Sequence, residues 1–157
     1  MVFTSSTARF PRQSVSVILA QTDTTVGFLS QDSHQLYEIK SRVSSKPFIK
    51  VFDSFKSLGS AGQRVPKIHK KYLRNSKKTT FIVKNNSFRI AQSELNSACI
   101  RNLTWSYSTS ANESGKKFKR DFCEKKADII VEDSHGLEEK SSSAIYRLSK
   151  VKKRRLR

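Results

Sequence analysis

Short apolar runs alternate along this chain with segments that carry helix punctuation, and this alternation limits the fold more than any other feature. Val15 to Ala20 is mostly apolar and rich in β-branched residues, as a buried strand is. Asp32 and Gln35 then stand at capping-box spacing, and Leu36, Ile39 and Val43 supply a narrow apolar face. The helix they predict ends near Lys40 to Arg42, before Pro47. Phe48 to Phe52 reads as a second strand, Asp53 to Leu58 as a short helix, and Gly59-Ser60-Ala61-Gly62 as a break. Pro66 suits the first turn of a helix running to Ser76, with Ile68, Tyr72 and Leu73 on one side. Thr79 to Val83 and Phe88 to Ala91 flank the turn Lys84-Asn85-Asn86-Ser87 as a hairpin. Ser93 caps a helix holding Leu95 and Ile100. A helix near Lys116 to Lys126 and strands at Ile129 to Val131 and Ala144 to Leu148 complete the series. The expectation is an α/β single domain, a twisted, open, mixed sheet flanked by helices with at least one antiparallel pair.

Charge narrows the partners. Lys and Arg number 31 against 13 Asp and Glu, a formal net charge of +18. So large an excess attracts polyanions, nucleic acid and phosphorylated ligands first. Residues 64–78 alone hold Arg64, Lys67, Lys70, Lys71, Arg74, Lys77 and Lys78 without one acid. Hydrophobic content is 36%, low for a compact enzyme, so polar termini or a large solvated surface are expected. Residues 1–13 read as a loose N-terminus and 14–149 as the domain. Residues 150–157 carry six cations in eight positions and read as a basic tail too charged to pack. No apolar run approaches the roughly 18 residues that span a bilayer, so no membrane partner is expected. Cys99 and Cys123 read as free thiols of a reducing compartment, which places the chain in the cytoplasm. His34, His69 and His135 lack ligand spacing, so no protein metal site is expected, and neither a Gly-x-Ser-x-Gly elbow nor a Walker loop appears.

The stretch most suggestive of chemistry is Ser106 to Gly115. Trp105 and Tyr107 alternate with Ser106 and Ser108 at the end of a half-buried strand. Small hydroxyl and amide residues follow, closing on Gly115, which can reach φ > 0 in an anion-holding turn. In open α/β sheets ligands sit at the carboxyl ends of strands, in such a place. Ser108-x-Ser110-Ala111-Asn112-x-Ser114-Gly115 resembles the signature of the YrdC/YciO-type threonylcarbamoyl-AMP synthases. Thr22-Asp23-Thr24-Thr25-Val26-Gly27-Phe28 resembles that family's Pro-Thr-(Glu/Asp)-Thr-x-Tyr-Gly-Leu. Lys40-Ser41-Arg42 with Pro47-Phe48 resembles its Lys-x-Arg-x-x-x-x-Pro-Leu. Arg89 stands where its strand arginine does, and Ser143 aligns with the serine of its Pro-Ser-Thr-Ile-Val. The order agrees from about Val17 to Arg147. Two departures fall where a small substrate would sit. Ser76-Lys77-Lys78 replaces a Pro-Gly-Pro, and neither Lys50 nor Val51 supplies the family's histidine.

The resemblance implies synthesis of threonylcarbamoyl-AMP and pyrophosphate from L-threonine, bicarbonate and ATP, for threonylcarbamoyladenosine modification of tRNA. It implies Lys40 and Arg42 as catalytic and phosphate-binding cations. Ser108, Ser110, Asn112 and Ser143 would hold the nucleotide, and Thr22, Thr24 and Arg89 the threonine. Mg²⁺ would bridge the phosphates. Implied partners are tRNA or other RNA on the basic surface and other tRNA-modification proteins. The alternative is a non-catalytic, double-stranded RNA- or tRNA-binding module on the same scaffold, which the charge and the two departures favour.

Overall fold

The structure is a computed structural model that describes residues 2–5, 16–41, 47–101 and 103–157. Its strands are β1 (Val2–Ser5), β2 (Ile18–Gln21), β3 (Val26–Ser30), β4 (Ile49–Phe52) and β5 (Thr79–Val83). They continue with β6 (Asn86–Ile90), β7 (Trp105–Ser110), β8 (Ile129–Glu132), β9 (Ala144–Leu148) and β10 (Lys153–Arg155). The helices are α1 (Ser33–Lys40), α2 (Phe55–Ser60), α3 (Lys70–Asn75), α4 (Glu94–Arg101) and α5 (Arg120–Glu124), and a single 3₁₀ turn, Lys67–His69, leads into α3.

The strands form one sheet in the order β1-β8-β2-β3-β7-β4-β6-β5-β9-β10. It is mixed, as expected. β2/β8, β4/β6 and β5/β9 run parallel, and the remaining neighbours are antiparallel. Pairing of Val51 with Arg89 and Ser106, and of Ile49 with Ser108, puts these side chains on one face. Lys50, Phe52, Phe88 and Tyr107 therefore point to the other.

The first face buries Ala20, Leu29, Val51, Ala91 and Val131 against Ile100 of α4. On the second, Phe52, Phe81, Phe88 and Leu148 pack with Leu58 of α2 and Leu73 of α3. Farther along that face, Leu19, Val26 and Phe28 meet Leu36 of α1 and Cys123 of α5. Because α4 covers only part of the first face, the ends of β3, β4, β6 and β7 stay open beside it.

Capping sets the helix ends. The Asp32 carboxylate accepts the His34 N–H at 2.9 Å, and α1 stops at Lys40 because Ser41 turns left-handed at φ 44°. Ser54, not Asp53, caps α2, with Ser57 completing the capping box.

Several expectations need correction. Val26–Ser30 is a strand where none was expected, because the Thr22–Thr25 turn folds it back antiparallel on β2. Residues 2–5 are not loose, since they pair antiparallel with β8. The basic tail also packs. Its residues 153–155 extend the sheet from β9, with the Lys153 ammonium 3.4 Å above the Tyr72 ring, while all three side chains stay exposed. An edge strand tolerates such charge because its outer rim faces water. α5 covers only Arg120–Glu124 of the segment 116–126. Val15 and Val43 lie outside the described residues. No helix among those described is long and apolar enough to cross a membrane.

Candidate functional site

The open end of the first face is a cleft of about 310 Å³, walled by Thr22, Thr24, Thr25, Gly27, Ile49, Arg89, Ser108, Thr109 and Ser110. Ser142, Ser143, Arg157, Pro47 and Phe48 close its rim. It gathers eight hydroxyl residues and two guanidinium groups, with no acidic side chain among them.

The β2–β3 turn supplies one side. Thr22 Oγ1 accepts the Thr24 and Thr25 N–H groups at 3.3 and 3.4 Å and donates to the Thr25 carbonyl at 2.6 Å. The turn is anchored from outside by Asp23, whose carboxylate oxygens each accept a backbone N–H at 2.7 Å, from Gln92 and Ser93. Those residues lead from β6 into α4, so Asp23 fixes the turn relative to Arg89. Gly27 lines the floor because nothing larger fits. A Cβ there would lie 2.9 Å from the Thr109 carbonyl oxygen and 3.1 Å from Thr22 Cγ2.

Arg89 is the charge at the centre of the site. Its side chain is buried, and it donates from Nη1 to Thr24 Oγ1 at 2.8 Å and from Nη2 and Nε to Thr80 Oγ1 at 3.0 and 3.3 Å. Thr80 Oγ1 and Ser143 Oγ are in turn 2.9 Å apart. All these partners are neutral, and among the described residues no carboxylate pairs with Arg89. Burial pulls its pKa below the ordinary arginine value, with the field of Asp23 opposing and that of Arg157 adding to the fall.

Lys40 and Asn112 join at the end of β7. The Lys40 ammonium, buried, donates to the carbonyls of Ser110 and Asn112 at 3.0 and 2.7 Å and to Asn112 Oδ1 at 2.7 Å. Asn112 Oδ1 also accepts from Ser110 Oγ at 2.7 Å, and its amide donates to the Lys116 carbonyl. Lys40 thus ties the end of α1 to the loop after β7. Because Lys40 is buried, removing its side chain would open a hole.

Of the residues read from the sequence, Thr22, Thr24, Arg89, Ser108, Ser110 and Ser143 share this cleft. Lys40 and Asn112 adjoin it through Ser110 without forming its wall. Arg42 lies outside the described residues. Thr80, Gly27 and Arg157 went unrecognised as site residues. Thr80 was accessible from hairpin geometry, being on the strand that pairs with β6 beside Arg89. Arg157 had no such signal, since a run of cations does not mark which one turns inward. Its Nε donates to the Ser143 carbonyl at 3.1 Å, and its backbone pairs with Ile145.

No group of three His, Cys, Asp or Glu side chains sits together among the described residues. Hydroxyls, amides and cations suit an anionic ligand, and a Mg²⁺ ion would reach this site on phosphate oxygens rather than on a protein cage. Burial pushes Cys99 up to about 11 and raises Cys123 as well.

The sequence matches no protein-family model and no curated protein. The structure does find counterparts. P. abyssi Sua5 complexed with L-threonine matches over 90% of this chain with a TM-score of 0.76 and 17% identity. E. coli YciO matches over 91% of this chain and 82% of its own, at 0.73 and 17%. The fold is that of the YrdC-type domains of Sua5 and YciO. Full-length HypF in a phosphate- and nucleotide-bound form contains it too, at a TM-score of 0.73 and 12% identity over 99% of this chain and 25% of that one. The chain spans half the length of the Sua5 chain it matches. In this YrdC-type frame the Ser108–Ser110 wall, the Thr22–Thr25 turn and Arg89 come from separate strands and converge on one cleft.

Proposed function

We propose that the cleft condenses L-threonine, bicarbonate and ATP to threonylcarbamoyl-AMP and pyrophosphate, the adenylate that serves threonylcarbamoyladenosine formation in tRNA. The observation that carries this proposal is Arg89. A buried guanidinium held only by neutral hydroxyls, facing a cleft, is completed by an incoming carboxylate. Threonine offers that carboxylate, and its hydroxyl and amine suit Thr22 and Thr24.

The chemistry balances without a covalent enzyme intermediate. The threonine amine adds to the bicarbonate carbon, and loss of water leaves a carbamate. A carbamate oxygen attacks the α-phosphorus of ATP, the bond from that phosphorus to the bridging oxygen breaks, and pyrophosphate departs. Anion approaches anion, so positive charge lowers the barrier most. Arg157 at the rim and Lys40 at the end of α1 supply it, and Arg42 is assigned the same role from the resemblance alone. Ser108, Ser110, Asn112 and Ser143 hold the nucleotide, and Mg²⁺, when bound, neutralises phosphate charge. No side chain in the cleft wall is a ready general base, so alignment of the reactants contributes much of the rate.

The family's histidine would fall near Lys50 or Val51, and neither supplies an imidazole. That departure bears on the choice of amino acid. Pyrophosphate release, measured with each substrate omitted in turn, tests the proposal. Release that needs L-threonine, bicarbonate and ATP together is the expected result. Release indifferent to threonine, or none, removes it.

A further inference from the structure

A second cavity, of about 360 Å³, opens on the opposite face of the sheet. Its wall includes Lys50, Tyr107, Gln63, Asn85 and Asn86, and no acid. Lys50 and Tyr107 are paired neighbours on β4 and β7, and register puts them on the face that Arg89 does not share. The Lys50 ammonium, exposed, lies 4.6 Å from the Trp105 ring centroid and 5.5 Å from that of Tyr107. Among the described residues no carboxylate pairs with it. The two rings meet edge to face at 5.2 Å, so Tyr107 is fixed from behind. Asn85 and Asn86 project from the tight β5–β6 turn and are both exposed.

Gln63 also belongs to a neighbouring depression of about 370 Å³ that contains Arg64 and Lys70, again with no acid. Beyond it the cations continue along α3, with Arg74 seated 4.2 Å above the Phe55 ring. Ion pairs among the described residues all lie between Glu113 and Lys140, so none neutralises this row. An aromatic and amide pocket opening onto an unneutralised cationic path is the arrangement that single-stranded nucleic acid requires. Rings and a cation meet a base face, amides read its edge, and cations follow the backbone. A duplex keeps its bases stacked inside and offers only phosphates.

We infer that this face binds single-stranded nucleic acid, with one base against Tyr107 and the Asn85–Asn86 amides and the following phosphates on Arg64 and Lys70. The inference does not rest on the reaction proposed for the Arg89 cleft, although Pro47 and Phe48 border both cavities, and it is tested without ATP.

The experiment is fluorescence anisotropy of a labelled ten-nucleotide single-stranded RNA and of an RNA duplex of equal length, each across a salt series. The full chain is compared with N85A/N86A, which changes no charge, and with R64Q/K70Q. Thermal melts and L-threonine binding check that each variant is folded. The single strand is expected to bind more tightly than the duplex. N85A/N86A should weaken the single strand by about tenfold, leaving its salt slope and the duplex affinity unchanged. R64Q/K70Q should flatten the slope for the single strand by about 1.4. Equal affinity for strand and duplex, no effect of N85A/N86A, or no binding of either RNA overturns the inference. The first two outcomes would leave only a non-specific polyanion surface.

Discussion

Arg89 is a buried charge whose partners are all neutral, a state that costs folding free energy unless a ligand completes it. Replacing it by methionine keeps much of its volume and removes the charge. Arg89→Met is therefore expected to leave the melting temperature unchanged or slightly raised, while L-threonine affinity falls at least about tenfold. Calorimetric titration beside a thermal melt checks both. A sharp loss of stability with binding intact would make Arg89 a structural residue. Gly27 makes the opposite case, where shape alone decides. Its neighbour is a strand carbonyl that cannot step aside. Gly27→Ala is expected to destabilise by about 1–3 kcal/mol, read from the urea midpoint.

At the scale of elements, the β9–β10 hairpin departs furthest from what composition implied. Its cations look like a solvated end, yet Lys153 sits on Tyr72, the Ser149 carbonyl is 3.0 Å from Nε2 of the buried His69, and Arg157 reaches the cleft. Truncation after Ser149 is therefore expected to lower both the urea midpoint and ATP affinity. Arg157→Gln should lower ATP affinity alone. A truncated chain as stable and as tight-binding as the full one would return residues 150–157 to a dispensable tail.

The elements also show why some of the fold was readable in the sequence and some was not. β4, β5, β6 and β9 carry apolar, β-branched or aromatic runs bounded by turn residues, and those signals are local. β3 was hidden because Thr22 to Gly27 looks like a single turn. Only pairing on both sides, with β2 and β7, makes Val26–Ser30 a strand. The site motifs were readable because each lies at a strand end, where chemistry needs specific residue types. Arg157 was not, since its role comes from Ser143, a neighbour 14 residues away.

At the scale of the molecule, charge and shape separate into two faces. One holds a hydroxyl cleft with the buried Arg89 at its centre and the exposed Arg157 at its rim, and the other an acid-free row of exposed cations. The net charge of +18 is thus distributed rather than merely abundant. The account stands or falls on what the first face makes. The direct measurement is mass-spectrometric detection of the nucleotide product from ¹³C-bicarbonate, L-threonine and ATP, for the full chain and for Arg89→Met. The expected result is an adenylate carrying both the label and threonine with the full chain, and little or none with Arg89→Met. Absence of that adenylate with the full chain, or equal amounts from both proteins, would contradict it.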